Sequence, residues 1–372
     1  MEIPQKFADI DWDMLGIAFP DIEKLKNCPQ DAIWHAEGDV FIHTQLVVEA
    51  LMSHPDWQQA DSDTQAILWW SAVFHDIAKP LTTVTEKGRI RSPRHAIKGA
   101  QFTQNLLYQD FPPQFELLPL AQRQKIVHLV RYHGLPLWFW DKKDMLRAVV
   151  EASQYAPCEW IALLSEADVL GRMCDDQQDL LERITLFREY SRENNCAKSA
   201  YIFPSAHSRF LYFQGSDNHP SYEAYDDTVC EVTMMSGLPG AGKDTWLEQN
   251  KADLPVISLD AIRREMAIKS GDNQSVVVIQ AKEQARMYLR EGQSFIWNAT
   301  NLTRRLRKPL IDLFAGYDAR VKIVYVEASW QDVLSRNLTR EHKVPSDVLY
   351  KMAKMLEVPS ITEATEVIWE TS

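Results

Sequence analysis

The chain has 372 residues and is 45% hydrophobic, enough length and apolar content for two domains that each bury a core. Its formal net charge of −12 excludes broad, nonspecific wrapping of nucleic acid, while leaving room for a local basic track to a site. Five scattered cysteines (Cys28, Cys158, Cys174, Cys196, Cys230), with no Cys-x-x-Cys pair, exclude a disulfide framework and a zinc finger.

The first residues, Met1 to Asp9, show no basic region followed by an apolar stretch. The longest apolar runs, such as Ala66 to Phe74 and Phe295 to Trp297, fall short of the ~20 residues of a membrane span. A soluble, cytoplasmic protein without membrane association is expected. From about residue 30 to 198 the periodicity is almost wholly helical, as in Thr64 to His75, Gln122 to His133 and Asp179 to Asn194. Residues 199–228 turn to aromatic, Ser, Asp, Asn and Pro residues, the composition of a connector with little regular structure. After 228, short apolar runs at Cys230 to Met235, Pro255 to Leu259, Ser294 to Trp297, Val321 to Val326 and Glu366 to Trp369 alternate with amphipathic stretches. That alternation predicts a parallel sheet with crossover helices. The expected organisation is an all-α domain over 1–198, a connector over 199–228 and an α/β domain over 229–372.

Directly after the first expected strand comes Gly237-Leu-Pro239-Gly240-Ala241-Gly242-Lys243-Asp244-Thr245, a P-loop in the right context. Its glycines let backbone N–H groups converge on phosphates at a helix N-terminus, and Lys243 reaches the β- and γ-phosphates. Asp244 stands where the strict pattern has Ser or Thr, so the Mg²⁺-linked hydroxyl is assigned to Thr245. At the next strand end, Asp260 is placed to take a proton from an attacking hydroxyl, unless it is only a helix N-cap, and Arg263 to grip an acceptor phosphate. Two further segments are rich in phosphate-binding residue types: Asn298 to Lys308, with Arg304, Arg305 and Arg307, and Arg336 to Lys343, which has the character of a lid. Arg336 and Arg340 are spaced i, i+4, so one helical face would present both.

The helical half holds His43, the pair His75-Asp76, His95, His133 and Asp168, six metal-competent residues on or beside predicted helices. His75-Asp76 gives a metal one nitrogen and one oxygen from a single turn, with His43 and Asp168 completing a mixed N/O site. Such a site would activate water for attack on phosphorus, and a second ion at His95 and His133 would bind the released phosphate. Lys79 and Arg172 are candidate phosphate contacts. His35, His54 and His128 have no motif partner and read as ordinary histidines.

Together, Gly-Leu-Pro-Gly-Ala-Gly-Lys-Asp-Thr-Trp, the Asp-x-x-Arg of Asp260 and Arg263, Asn-Ala-Thr-Asn and the Arg-x-x-x-Arg…Val-Pro lid resemble the 5′-OH polynucleotide kinase family over about residues 230–372. The stretches around His43, Phe74-His75-Asp76, His95, Tyr132-His133 and Glu166-Ala-Asp168 resemble the HD phosphohydrolase superfamily over about 30–190. In this order the two halves resemble the bacterial HD-Pnk end-healing enzymes. The resemblance implies an HD-type helical domain followed by a P-loop kinase domain. It implies a 5′-hydroxyl kinase using a nucleoside triphosphate (ATP or GTP) with Mg²⁺, and a 2′,3′-cyclic phosphodiesterase and 3′-phosphatase holding one or two ions of Mn²⁺, Co²⁺, Ni²⁺ or Zn²⁺. The implied partners are single-stranded RNA or DNA ends and a downstream ligase; a homodimer is left open, because no motif speaks to oligomeric state. Two other readings fit the same residues: a nucleoside or sugar kinase fused to a nucleotide phosphohydrolase, and a regulatory module sensing nucleotide and metal without turnover.

Overall fold

The protein, seen in a computed structural model, is described here over residues 3–112, 118–250, 253–268, 274–340 and 343–371. It divides into two units, Met1–Ile202 and Phe203–Ser372.

The first unit is helical. Its main helices are α1 (Val40–Ser53), α2 (Ser62–Phe74), α3 (His95–Tyr108), α4 (Leu120–Tyr132), α5 (Cys158–Leu170) and α6 (Gln177–Glu193). Side-chain caps fix where several begin: Asp39 Oδ1 accepts from Ile42 N at 3.0 Å and Asp61 Oδ1 from Thr64 N at 2.9 Å. Helix α2 is the buried centre, packed by α1, α4 and α5. Its Trp70 stacks on Phe74 at 5.2 Å, and Phe19 meets both rings edge-on. Each of these rings is buried, worth roughly 1.5–3 kcal/mol of transfer free energy for a large apolar side chain. A two-stranded antiparallel hairpin, β1 (Val84–Glu86) and β2 (Arg89–Arg91), interrupts the expected all-helical run. Its residues are mostly exposed, so it lacks the alternating apolar pattern by which strands are read.

The second unit is an α/β layer structure. Its elements are α7 (Ala206–Phe213), β3 (Cys230–Ser236), α8 (Lys243–Asn250), β4 (Val256–Ser258), α9 (Leu259–Glu265), α10 (Ser275–Arg290), β5 (Phe295–Asn298), α11 (Arg304–Ala315), β6 (Ala319–Glu327), α12 (Trp330–Thr339), α13 (Ser346–Lys354) and β7 (Glu366–Thr371). The five strands form one parallel sheet in the order β4-β5-β3-β6-β7, with Val232 opposite both Phe295 and Val321. The expected strands fall where the apolar runs placed them. The segment expected to be an irregular connector carries α7, capped by Ser205 accepting from Ser208 N, with Phe210 and Tyr212 buried. Phe210 packs into the core of this unit, and Tyr212 and Phe213 lie against Phe203. Among the described residues no helix is long and apolar enough to cross a membrane.

Candidate functional sites

The central strand β3 runs into the loop 237–242 and then α8, so the loop lies at the carboxyl edge of the sheet, where α/β folds bind ligands. Gly237, Gly240 and Gly242 all adopt positive φ (141°, 84° and 104°). At Gly237 space is short as well, since a Cβ would come within 2.4 Å of the Val326 carbonyl oxygen on β6. The loop is tied down by Gly237 N donating to Thr300 O at 2.9 Å. Lys243 Nζ donates to Gly237 O at 2.9 Å and Leu238 O at 2.8 Å, folding its stem back over the loop. Burial lowers Lys243 to about 8, with Asp244 opposing the fall and Arg340 adding to it.

Asp244 accepts from Asn298 Nδ2 at 3.1 Å, which joins the first turn of α8 to the end of β5. Asp260 is not the N-cap of α9. Ser258 holds that position and accepts from Ala261 N at 3.3 Å, which leaves the Asp260 carboxylate to pair with Arg263 Nη1. Arg263 Nε also donates to Gln274 Oε1 at 2.8 Å. Arg336 on α12 donates to the Gly240 carbonyl at 3.3 Å, so a lid residue touches the P-loop. Arg340 departs from the expected shared helical face: it is the C-cap, at ψ 144°, where the chain has left the helix. Of the lid segment, residues 341–342 lie outside the described residues.

Arg307, expected among phosphate contacts, is fully buried and structural. It forks onto Glu363 at 2.7 and 2.9 Å and donates to the carbonyls of Asn301 at 3.0 Å and Glu357 at 2.9 Å. Asn301 Nδ2 in turn donates to Met235 O at 2.7 Å, and Ser236 Oγ to Asn301 O at 3.1 Å. The Asn-Ala-Thr-Asn motif and Arg307 thus act as scaffold under the P-loop. A charge in a basic run looks the same in sequence whether it faces solvent or a buried carboxylate 56 residues away.

In the first unit, folding gathers all six predicted His and Asp residues. His43 lies in α1; His75 and His133 cap the C-termini of α2 and α4; His95 starts α3; Asp168 lies in α5. They form two groups, His43/His75/Asp168 and Asp76/His95/His133, with ligand atoms in each lying within 4.8 Å of one another. Asp76 joins the two: its Oδ2 is 3.2 Å from His75 Nε2 and 3.8 Å from His43 Nε2, while its Oδ1 is 3.5 Å from His95 Nε2. His43 Nε2 is 3.0 Å from Asp168 Oδ1, and the Nε2 atoms of His95 and His133 are 3.4 Å apart. Lys79 Nζ pairs with Asp76 at 2.6 Å and Arg172 Nε with Asp168 at 3.2 Å, so both residues expected to contact phosphate instead hold the carboxylates of the cluster. Close approach at Gly171 makes the Asp168 side possible, because a Cβ there would lie 2.9 Å from Val47 N and 2.8 Å from Val47 Cγ2 on α1.

Burial works against charge throughout this cluster. It lowers His133 to about 3, with His75 and His95 adding, and it lowers His95. At His75 burial is outweighed by Asp76, which raises the ring above its ordinary value. At the two carboxylates burial pushes upward but is outweighed, by Lys79 and His75 at Asp76 and by Arg172 and His43 at Asp168. Both stay well below the usual carboxylate range. Burial thus disfavours the charged form of His95 and His133, while the two carboxylates stay ionised. His75 Nε2 and Asp76 Oδ1 are buried and make no hydrogen bond among the described residues. Orphaned donors in a mixed N/O set fit a divalent transition metal. Sequence reading passed over Glu37, buried between His35 Nδ1 at 2.7 Å and His43 Nδ1 at 2.9 Å; the only signal was a carboxylate between two histidines in a loop.

Residues 232–359 match the AAA domain family. With the loop geometry above, the second unit is a P-loop kinase-like α/β domain. A Multifunctional CCA protein of Vibrio cholerae is 25% identical over 212 residues, 54% of this chain and 47% of that protein. An L-seryl-tRNA(Sec) kinase of Methanococcus maripaludis is 22% identical over 146 residues, 37% of this chain and 56% of that protein. The chain thus spans about half the length of the curated relatives it matches. A solved sugar kinase from Janibacter sp. aligns at a TM-score of 0.31 and 19% identity, over 38% of this chain and 85% of that one.

Proposed function

We propose that this chain repairs nucleic-acid ends, phosphorylating a 5′-hydroxyl at the P-loop and removing a 2′,3′-cyclic or 3′-phosphate at the His/Asp cluster. What carries this reading is the coexistence, in one chain, of a kinase loop whose acidic neighbour pairs with an arginine and a buried cluster of two ligand groups sharing Asp76. An attacking hydroxyl needs a base and its own backbone needs a cation; Asp260 and Arg263 supply both from one turn of α9. Lys243 and Arg336 would bear on the transferred phosphoryl, where charge spreads over the equatorial oxygens. Thr245 would supply the hydroxyl that holds Mg²⁺ with the donor.

In the cluster, His43, His75 and Asp168 would hold one ion and Asp76, His95 and His133 a second. Divalent ions there supply activated water and neutralise phosphate charge. Arg172 and Lys79 keep Asp168 and Asp76 ionised for that task. The two products, a 5′-phosphate and a 3′-hydroxyl, are the pair a ligase joins.

The test uses a 5′-hydroxyl, 3′-phosphate oligonucleotide with triphosphate, Mg²⁺ and Mn²⁺ or Ni²⁺, following both ends. Asp260→Ala is expected to abolish only 5′ phosphorylation and Asp76→Ala only 3′-phosphate removal. No change at either end with wild type would move the reading to small-molecule acceptors.

A further inference from the structure

Four histidines line the cluster, and each needs its Nδ1–H held for Nε2 to face inward. Three solve this locally. His75 Nδ1 bonds to Ala72 O at 2.7 Å, His95 to Ser92 O at 2.8 Å and His133 to Val130 O at 2.8 Å, each three residues back. All three stand at helix ends, where the local carbonyl can turn to a side chain. His43 cannot do so. It sits inside α1, one turn past the Asp39 cap, and Asp39 O already takes its own N–H at 3.1 Å.

Its Nδ1 instead lies 2.9 Å from Glu37 Oε1, an ion-pair contact between two fully buried side chains that is not aligned as a hydrogen bond, so the carboxylate holds the ring by charge and proximity. The same oxygen takes His35 Nδ1 at 2.7 Å, and Oε2 accepts from Met173 N at 2.9 Å. Ala36 N donates to Met173 O at 3.0 Å, so this strap is fastened to the turn that follows Asp168 and Arg172. We propose that Glu37 is a positioning residue of the metal centre, the outer carboxylate that fixes the tautomer and aim of His43 and ties the His43 and Asp168 sides together. A carboxylate accepts more strongly than a carbonyl, so it raises the donor strength of the ring it holds; losing such a partner costs about 10–100-fold in metal affinity. The inference rests on the reading that the cluster binds a divalent ion. His35 is then a second donor that helps satisfy the buried charge.

The test titrates the metal-free full chain with Mn²⁺ by calorimetry, and with Co²⁺ by its visible absorption, for wild type, Glu37→Ala, Glu37→Gln and His35→Ala. Hydrogen exchange of the α2 and α4 amides serves as the folding control. Glu37→Ala is expected to weaken the tightest site about 10–100-fold and to shift the Co²⁺ bands, while Glu37→Gln, which keeps an acceptor oxygen toward the rings but not the charge, should lose measurably less than Glu37→Ala. His35→Ala should leave the number of bound ions unchanged. Wild-type affinity in Glu37→Ala, an equal loss in Glu37→Gln, or one ion fewer in His35→Ala would each overturn the role. No metal binding by wild type would instead refute the metal reading itself. Should Glu37→Ala not fold, ¹⁵N-histidine NMR of the Zn²⁺-loaded wild type decides: His43 Nδ1–H is expected furthest downfield of the four, and a shift among those of the carbonyl-bonded rings refutes the proposal.

Discussion

Replacing Arg307 by Met would leave the Glu363 carboxylate buried without its partner, because the guanidinium supplies both fork contacts at 2.7 and 2.9 Å and Glu363 is itself only 4% exposed. Ser360 N, at 3.0 Å from Glu363 Oε1, is a single neutral donor and cannot offset the charge. The carbonyls of Asn301 and Glu357 lose a donor as well. Removing one partner of a buried ion pair costs about 3–5 kcal/mol, a large part of the roughly 5–15 kcal/mol of a typical domain. Hydrogen exchange on the full chain measures it. The slowest amides of β3 and β6 should exchange about 100-fold faster or more, while those of α2 and α4 keep their rates. Nucleotide affinity should fall too, since Asn301 anchors the strand that feeds the P-loop. Adding Glu363→Leu should recover part of the loss, the carbonyls remaining unpaired. A single-variant cost below about 1 kcal/mol would refute the reasoning, because it would mean that the buried carboxylate finds water or a proton at little expense.

Gly237→Ala should cut affinity for a non-hydrolysable ATP analogue at least tenfold, because φ 141° and the Val326 carbonyl at 2.4 Å both oppose a Cβ; unchanged binding would show that the loop relaxes freely. Burial holds Lys243 down to about 8, so above that pH it must regain a proton to face a triphosphate; affinity should fall as pH rises through 8, with proton uptake on binding, and Lys243→Met should lose that slope. By the same linkage the protein gains stability from this group as pH rises between about 8 and its ordinary 10.5, since below that window a buried charge is being carried. Gly171→Ala should push α5 from α1, part Asp168 from His43 and weaken Mn²⁺ binding, with calorimetric affinity equal to wild type counting against the close-packing argument. Stripping metal with a chelator should lower the melting temperature of wild type and leave that of Asp76→Asn nearly unmoved.

The amino-acid sequence alone determined the local chemistry. Glycine spacing before Lys243, strand-length apolar runs after residue 228 and the helical period before 198 each express a short-range rule of backbone sterics or side-chain period, and apart from the β1–β2 hairpin and α7 the elements form where those rules put them. The six His and Asp positions were legible for the same reason, as residue types with few uses in a helical core. Tertiary structure alone decided which groups meet. Arg307 and Glu363 are 56 residues apart, His43 and Asp168 are 125 apart, and Glu37 reaches Met173 over 136. Such contacts follow from how helices and strands pack, so a basic run divides into scaffold and candidate site only after folding, and a loop glutamate becomes a partner of His43 only when the chain closes around it.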